Sequence, residues 1–350
     1  MIINFKKNYN LKNLIYLLIF LEKKRILLHY TIVFLSERQW YNARIIFMNE
    51  ESFRPKITYI TKKPLTCPVC GEKVFYEALL SGGGRLIADE ITDMLHRQYK
   101  PSAQFGKIYP LNYNIVVCPS CLYASMPGDF TSVDEDKCSL LNNKSHERIE
   151  LANKICGHPV DFTKYRTLET GAVSFVLAID CYDYFKKQSL PVIKQAICSM
   201  RAAFLFDELN KESPNNYYDY MATTFYKKAL FFYQHAQYLN QEREQIMENT
   251  KLGPDTDKDY GYDGFMYLIA VLLYKFGDTS DHAKRIKDLE TAKMYFGKLF
   301  GMGKANVNKP KEILDKSKNF YTEVNKILKE DEEANASSAQ DDTEYEESGE

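Results

Sequence analysis

No stretch of this 350-residue chain is apolar for long enough to cross a bilayer. Its best candidates are Leu14–Leu21 and the mixed run 26–35, split by Glu22, Lys23, Lys24 and Arg25. A spanning helix needs about 20 apolar residues, and neither run is followed by the small-residue cleavage site of a signal peptide. An excess of one charge is missing as well. The net charge is −1, with −10 in residues 330–350 and +6 in residues 1–47, which leaves +3 for 48–329. A nearly neutral body lacks the basic surplus that binding to a phosphate backbone draws on. The glycine run Gly82–Gly84 has no Gly-Lys-Ser/Thr after it, so it is read as a turn and not as a phosphate loop. A disulfide framework is excluded by length and spacing: the chain is long, and Cys138, Cys156, Cys181 and Cys198 are scattered. The thiols are therefore expected to be reduced, in a cytoplasmic setting.

What is present begins with four further cysteines. Cys67-Pro68-Val69-Cys70-Gly71 is followed, 47 residues on, by Cys118-Pro119-Ser120-Cys121. A Cys-x-x-Cys turn converges two thiolates on one ion, and two such turns complete a tetrahedral four-sulfur shell. That shell suits one structural Zn2+ and leaves no open position for catalysis. Gly71 fits a turn position that favours φ > 0, whereas the second turn has Leu122 there. Iron accepts the same ligands. A redox dithiol would need a thioredoxin-like βαβ context, which is missing. A second metal site at His96, His146 or His158 with Cys156 lacks paired spacing.

Around the cysteines, alternation of Leu111, Tyr113, Ile115 and Val117 with Asn112, Asn114 and Val116 predicts a half-buried strand over 108–117. Residues 72–80 are read as a strand leaving the first turn. Ile87, Ile91 and Leu95, four apart, predict a helical insert. The period then changes. Val173–Tyr184, Ile193–Phe204, Tyr218–Leu239, Phe265–Phe276, Ile286–Leu299 and Leu314–Leu328 each carry one apolar stripe at helical spacing. Pro191, Gly253-Pro254, Gly277-Asp278 and residues 301–303 break them. Tyr267 and Tyr274, followed by Ala292 and Phe296, have the small-and-aromatic spacing of tetratricopeptide repeats, without a Trp at the usual place or a clean 34-residue period. A plain α-bundle is the alternative. Glu208, Glu212 and Asp219 have no His or Ser at a helpful spacing and are read as a solvated helix face.

The order Cys67-Pro68-Val69-Cys70-Gly71, Arg97-x-Tyr99, Pro110-Leu111-x-Tyr113, Val117-Cys118-Pro119-x-Cys121-x-Tyr123-Ala124 and Asp129-Phe130 resembles the bacterial family called domain of unknown function 2225. Leu122 stands where that family usually has Gly, and the glycine run is an addition. The resemblance implies a bacterial cytoplasmic protein with a paired-cysteine site and a repeat-like helical part; it implies no activity.

The expected fold is α+β: a small zinc-ribbon or knuckle-like domain, then an all-α helical-hairpin array. The expected parts are a basic, apolar extension over 1–47, with translation starting at Met48; the zinc-binding domain over 48–135; a connecting segment over 136–170; the helical array over 171–329; and a disordered acidic tail over 330–350. The expected function is that of a non-enzymatic interaction scaffold, stabilised by zinc at Cys67, Cys70, Cys118 and Cys121, with a protein or peptide on its helices. Two rivals remain: nucleic-acid binding through Lys62, Lys63, Arg85, Arg97 and Lys100, and an enzyme site between the domains near Arg85, His96 and Arg97.

Overall fold

A computed structural model describes residues 56–80, 82–214, 217–248, 250–301 and 310–347, with side chains to 335. The 1–47 extension, Met48, Ser81 and the 302–303 part of the last breaker lie outside the described residues.

Among the described residues, eight short strands come first: β1 (Thr58–Ile60), β2 (Leu65–Thr66), β3 (Lys73–Val74), β4 (Glu77–Leu79), β5 (Ile87–Ile91), β6 (Arg97–Lys100), β7 (Val116–Val117) and β8 (Ala124–Ser125). They form four two-stranded antiparallel ladders, β1–β4, β2–β3, β5–β6 and β7–β8. Such small ladders cannot stand alone; they depend on what they pack against.

Three expectations are corrected here. The predicted strand over 108–117 is a 3-10 turn at Pro110–Tyr113, and only Val116–Val117 is extended. Pro110 has no N–H to give a ladder and its φ is fixed, which favours the turn. The predicted strand over 72–80 divides between two partners, β3 pairing with β2 and β4 with β1. The predicted helix through Ile87, Ile91 and Leu95 is the β5–β6 hairpin, with Leu95 at φ +57 in its turn.

Eight helices follow among the described residues: α1 (Glu135–Asn143), α2 (Ser145–Cys156), α3 (Leu168–Tyr182), α4 (Pro191–Glu212), α5 (Tyr218–Gln241), α6 (Gly261–Phe276), α7 (His282–Phe300) and α8 (Lys311–Glu347). Six of them carry the six apolar stripes, with Tyr184 falling just past the end of α3. α3 starts at a capping box, in which Thr167 and Thr170 each accept the other's backbone N–H. α4 starts with Pro191, whose missing N–H costs nothing at a first turn. Asp281 caps α7 by accepting from the Lys284 N–H. The tail expected to be disordered continues α8 to Glu347. Its acidic composition argues against burial, but Glu, Ala and Gln favour the helix and no Gly or Pro interrupts it before Gly349. None of these helices is long and apolar enough to cross a membrane.

From α3 to α8, each helix packs on the next, and α8 also touches α6. α3 is the hinge of the architecture, because it also packs on α2, on β8 and on the Pro110–Tyr113 turn. Gly171 permits that approach: a Cβ there would lie 2.3 Å from Asn112 Oδ1 and 3.0 Å from Asn112 Cα. The buried apolar core runs without a break from Cys67 to Leu328.

Candidate metal centre

The two cysteine turns are built alike. In the first, the Cys67 N–H donates to Glu72 O at 2.8 Å and the Gly71 N–H to Cys67 O at 2.9 Å. In the second, the Cys118 N–H donates to Tyr123 O at 2.8 Å and the Leu122 N–H to Cys118 O at 3.0 Å. β2 and β3 flank one turn, β7 and β8 the other. Gly71 has φ +80 and Leu122 φ +52, so the second turn takes the left-handed conformation without a glycine.

This local geometry points all four sulfurs at one place, within 4.8 Å of one another. Cys67 Sγ lies 3.7 Å from Cys121 Sγ, and Cys70 Sγ 3.5 Å from Cys118 Sγ. Cys67, Cys118 and Cys121 are buried, and Cys70 is exposed. Backbone N–H groups of Cys70, Ser120, Cys121 and Tyr123 face the sulfurs and favour thiolate. In the absence of a cation the sulfurs compete for protons. Hydrogen bonds from the Cys121 and then the Cys67 side chain hold Cys118 down to about 2. The same contacts with Cys118 push Cys67 up to about 12 and Cys121 far above the ordinary thiol range. A divalent cation removes that competition by deprotonating its thiol ligands. The set can hold a metal ion, and it is the one such group among the described residues.

A fifth residue, unmarked in the sequence, supports the site. Arg148 on α2 is 1% exposed. Its Nε and Nη2 donate to Cys121 O at 3.1 and 2.8 Å, and Nη2 also to Leu141 O at 2.8 Å. It therefore fixes the backbone of one of the four clustered cysteines. Beyond the second turn, the Ala124 N–H meets Cys181 Sγ at 3.4 Å. Asp129 accepts from Tyr182 Oη at 2.7 Å and Lys194 Nζ at 2.8 Å, and Tyr123 Oη donates to Phe130 O at 3.1 Å. The Asp129-Phe130 motif thus ties the ribbon to α3 and α4.

The remaining candidates fall elsewhere. His96 and Arg97 stand together on the β5–β6 hairpin, but as anchors. His96 Nδ1 lies 2.8 Å from Asp255 Oδ2, the ring stacks on Phe204 at 4.3 Å, and Arg97 Nε pairs with Asp257 at 2.7 Å. Arg85 is not with them: it bonds the Lys56 and Gly82 carbonyls. Of the basic residues considered for nucleic acid, Arg97 and Lys100 are paired with carboxylates and Lys62 and Lys63 are exposed. His146 pairs with Glu150 and His158 with Glu169. Burial pushes the Cys156 thiol up to about 12. Glu208 corrects the reading of a solvated face: it is 3% exposed and bridges Lys107 at 2.6 Å and Lys211 at 2.7 Å.

No solved structure matches the chain. An uncharacterized protein of Borreliella burgdorferi is 40% identical over 275 residues, 78% of this chain and 98% of that protein. The family model described as "Uncharacterized protein conserved in bacteria (DUF2225)" matches residues 60–324, which include both cysteine pairs, Arg148 and all of α1–α7. The chain belongs to this family of uncharacterized proteins conserved in bacteria.

Proposed function

We propose that Cys67, Cys70, Cys118 and Cys121 hold one structural zinc ion, and that the chain is a non-enzymatic, cytoplasmic interaction scaffold. The carrying observation is the saturation of the site: four thiol sulfurs converge within 4.8 Å, and every ligand comes from the chain. Zinc–sulfur bonds of about 2.3 Å in a tetrahedron separate the sulfurs by about 3.8 Å; two of the sulfur pairs here are 3.5 and 3.7 Å apart. With no open position, the ion supplies folding energy rather than chemistry. The helices are read as a tetratricopeptide-like hairpin array with a protein or peptide partner. A cavity of about 760 Å³ along α7 and α8, walled in part by Ile286, Met294, Tyr321 and Leu328, supports that reading. Elemental analysis of purified protein tests the first half: one zinc per chain is expected, less in Cys118→Ser. Iron in its place, or no tightly held metal, would overturn it. Affinity capture tests the second half: turnover of a small molecule with no retained partner would overturn it.

A second reading rests on a different observation. A cavity of about 320 Å³ between the β5–β6 hairpin and α4–α6 is lined by His96, Asp207, Glu208 and Lys211. Asp255 holds His96 Nδ1 at 2.8 Å, the arrangement that orients a general base. This reading makes the chain an enzyme, and its mark is a turnover abolished by His96→Ala.

A further inference from the structure

The open cavity of about 760 Å³ along α7 and α8 is a groove with a direction. Its α7 wall is one stripe at spacings of three and four: Ile286, Glu290, Lys293, Met294, Gly297 and Lys298. Tyr321, Leu328, Asp331 and Glu332 form the α8 wall. The two helices run antiparallel here. His282 Nε2 lies 2.6 Å from Asp331 Oδ1 at one end, and Phe300 meets the Tyr321 ring at 5.1 Å at the other.

Charge is sorted along this axis. Asp331 and Glu332 stand at the His282 end, with Glu290 facing them from α7. Lys293 and Lys298 lie towards the Tyr321 end, with the Lys293 Nζ atom 5.9 Å from that ring and Lys298 Nζ 5.9 Å from the Tyr295 ring. Neither lysine forms an ion pair among the described residues. Between the charged ends the surface is apolar, and Met294 is 46% exposed there.

Gly297 adds a second, independent feature. It lies in the last turn of α7 without a positive φ. A Cβ at 297 would come no nearer than 3.5 Å to the Tyr321 ring, an ordinary contact. At Gly171 and Gly264, by contrast, it would lie 2.3 and 2.5 Å from Asn112 and Tyr260 atoms. Neither backbone nor internal packing requires glycine at 297, and glycine is a poor helix former. Its effect is a notch beside Met294 and Tyr321, wide enough to seat a side chain from outside.

We propose, resting on the scaffold reading, that this groove takes one amphipathic helix of another protein. An apolar side chain of that helix sits over Gly297, its basic end meets Asp331 and Glu332, and its acidic end meets Lys293 and Lys298. Helices dock in such grooves through apolar residues three, four and seven apart, and opposite charges at the two ends fix which way they lie.

Peptide display on the full chain tests this, with a random library of peptides about 18 residues long. Enriched peptides should carry apolar residues at that spacing, with basic and acidic residues at opposite ends. Gly297→Leu fills the notch and should weaken their binding at least about tenfold. Met294→Glu, at an exposed position, should do the same and decides the matter should Gly297→Leu fail to fold. Lys293→Glu with Lys298→Glu should reject the selected peptides and bind versions whose acidic end is changed to lysine. Undiminished binding to Met294→Glu, or no rescue by the lysine versions, overturns the groove and leaves the scaffold reading standing. So does a partner that affinity capture retains on wild type and Gly297→Leu alike, or a dimer of the chain that Gly297→Leu dissolves, which would make a second copy the occupant. Absence of any enriched peptide also overturns the groove; if affinity capture retains no partner either, the scaffold reading falls with it.

Discussion

At the scale of single residues, the two cysteine turns solve one backbone problem in two ways. Gly71 takes φ +80 freely, while Leu122 takes φ +52 as an L-residue, at a cost of about 1–2 kcal/mol. Leu122 is also 3% exposed, and removing a buried leucine side chain costs about 2–5 kcal/mol. Packing is the larger effect. Leu122→Gly should therefore lower stability by about 1–3 kcal/mol although it relaxes the backbone. Gly71→Ala, with open space around the added carbon, should lose about 1–2 kcal/mol to strain alone. Denaturant midpoints check both, and a more stable Leu122→Gly would reverse the ranking. Arg148 gives the second prediction. Arg148→Met keeps bulk but leaves Cys121 O and Leu141 O without their donor, and should weaken metal binding about 10- to 100-fold in competition with a chromophoric chelator. Unchanged affinity would reduce Arg148 to a packing role. These residues also mark where legibility ended. The four clustered cysteines and the odd Leu122 stand out because thiolate chemistry and left-handed turns have fixed residue preferences. Arg148 does not, because arginine is normally exposed, and its acceptor is a backbone carbonyl 27 residues away.

At the scale of elements, the helical half was legible and the ribbon half was not. α3–α8 bury continuous stripes, and a long stripe at 3.6 spacing has one reading. Ile87, Ile91 and Leu95 are ambiguous, since residues four apart share a face in a strand as well as in a helix. α1 and α2 left no stripe: their buried residues are Leu141, Arg148 and Ala152, and an arginine breaks the pattern. Charged contacts join the buried Met94 and Leu95 in setting the hairpin's place. Asp93 binds Lys275 and Lys316, Asp255 binds His96, and Glu208 binds Lys107 just beyond the hairpin. Burial alone would raise these three carboxyls, but their hydrogen bonds and cations outweigh it and hold each below its ordinary value. A carboxylate with a depressed folded pKa contributes stability above its unfolded pKa and loses it as pH falls through the folded one. The protein should therefore lose stability as pH drops below 4.5 for Glu208 and 3.8 for the two aspartates. Asp255→Asn should be less stable at neutral pH and show a shallower acid slope. Thermal midpoints across pH measure this in both proteins, which share the same metal site. Parallel curves would remove Asp255 from the account.

At the scale of the whole described molecule, the question is whether the metal centre stabilises a module or the entire fold. A sequence with paired cysteines before helices invites the modular answer, in which losing the ion unfolds residues 64–125 and leaves the helices untouched. Three contacts argue otherwise. The Ala124 N–H meets Cys181 of α3, the Asp129 carboxylate joins Tyr182 of α3 to Lys194 of α4, and Arg148 of α2 holds the Cys121 carbonyl. Cys67, Cys118 and Cys121 also belong to the same continuous core as Phe206 and Leu268. Magnitudes sharpen the point. A structural zinc ion contributes apparent binding energies of about 10–16 kcal/mol in zinc-finger peptides, against a typical total stability of about 5–15 kcal/mol for a folded domain. A ribbon that loses its ion exposes the faces of α3 and α4 that it covers, so the helices lose packing with it. Cys118→Ser should keep most of its far-UV helical signal at low temperature, because α4–α8 retain their mutual contacts. Its helices should nevertheless melt at a clearly lower temperature than those of the wild type, and chelation of the wild type should move its melting the same way. The two quantities to compare are metal content and the helical melting midpoint. A variant that loses its metal and melts at the wild-type temperature would show the ribbon to be an independent module after all.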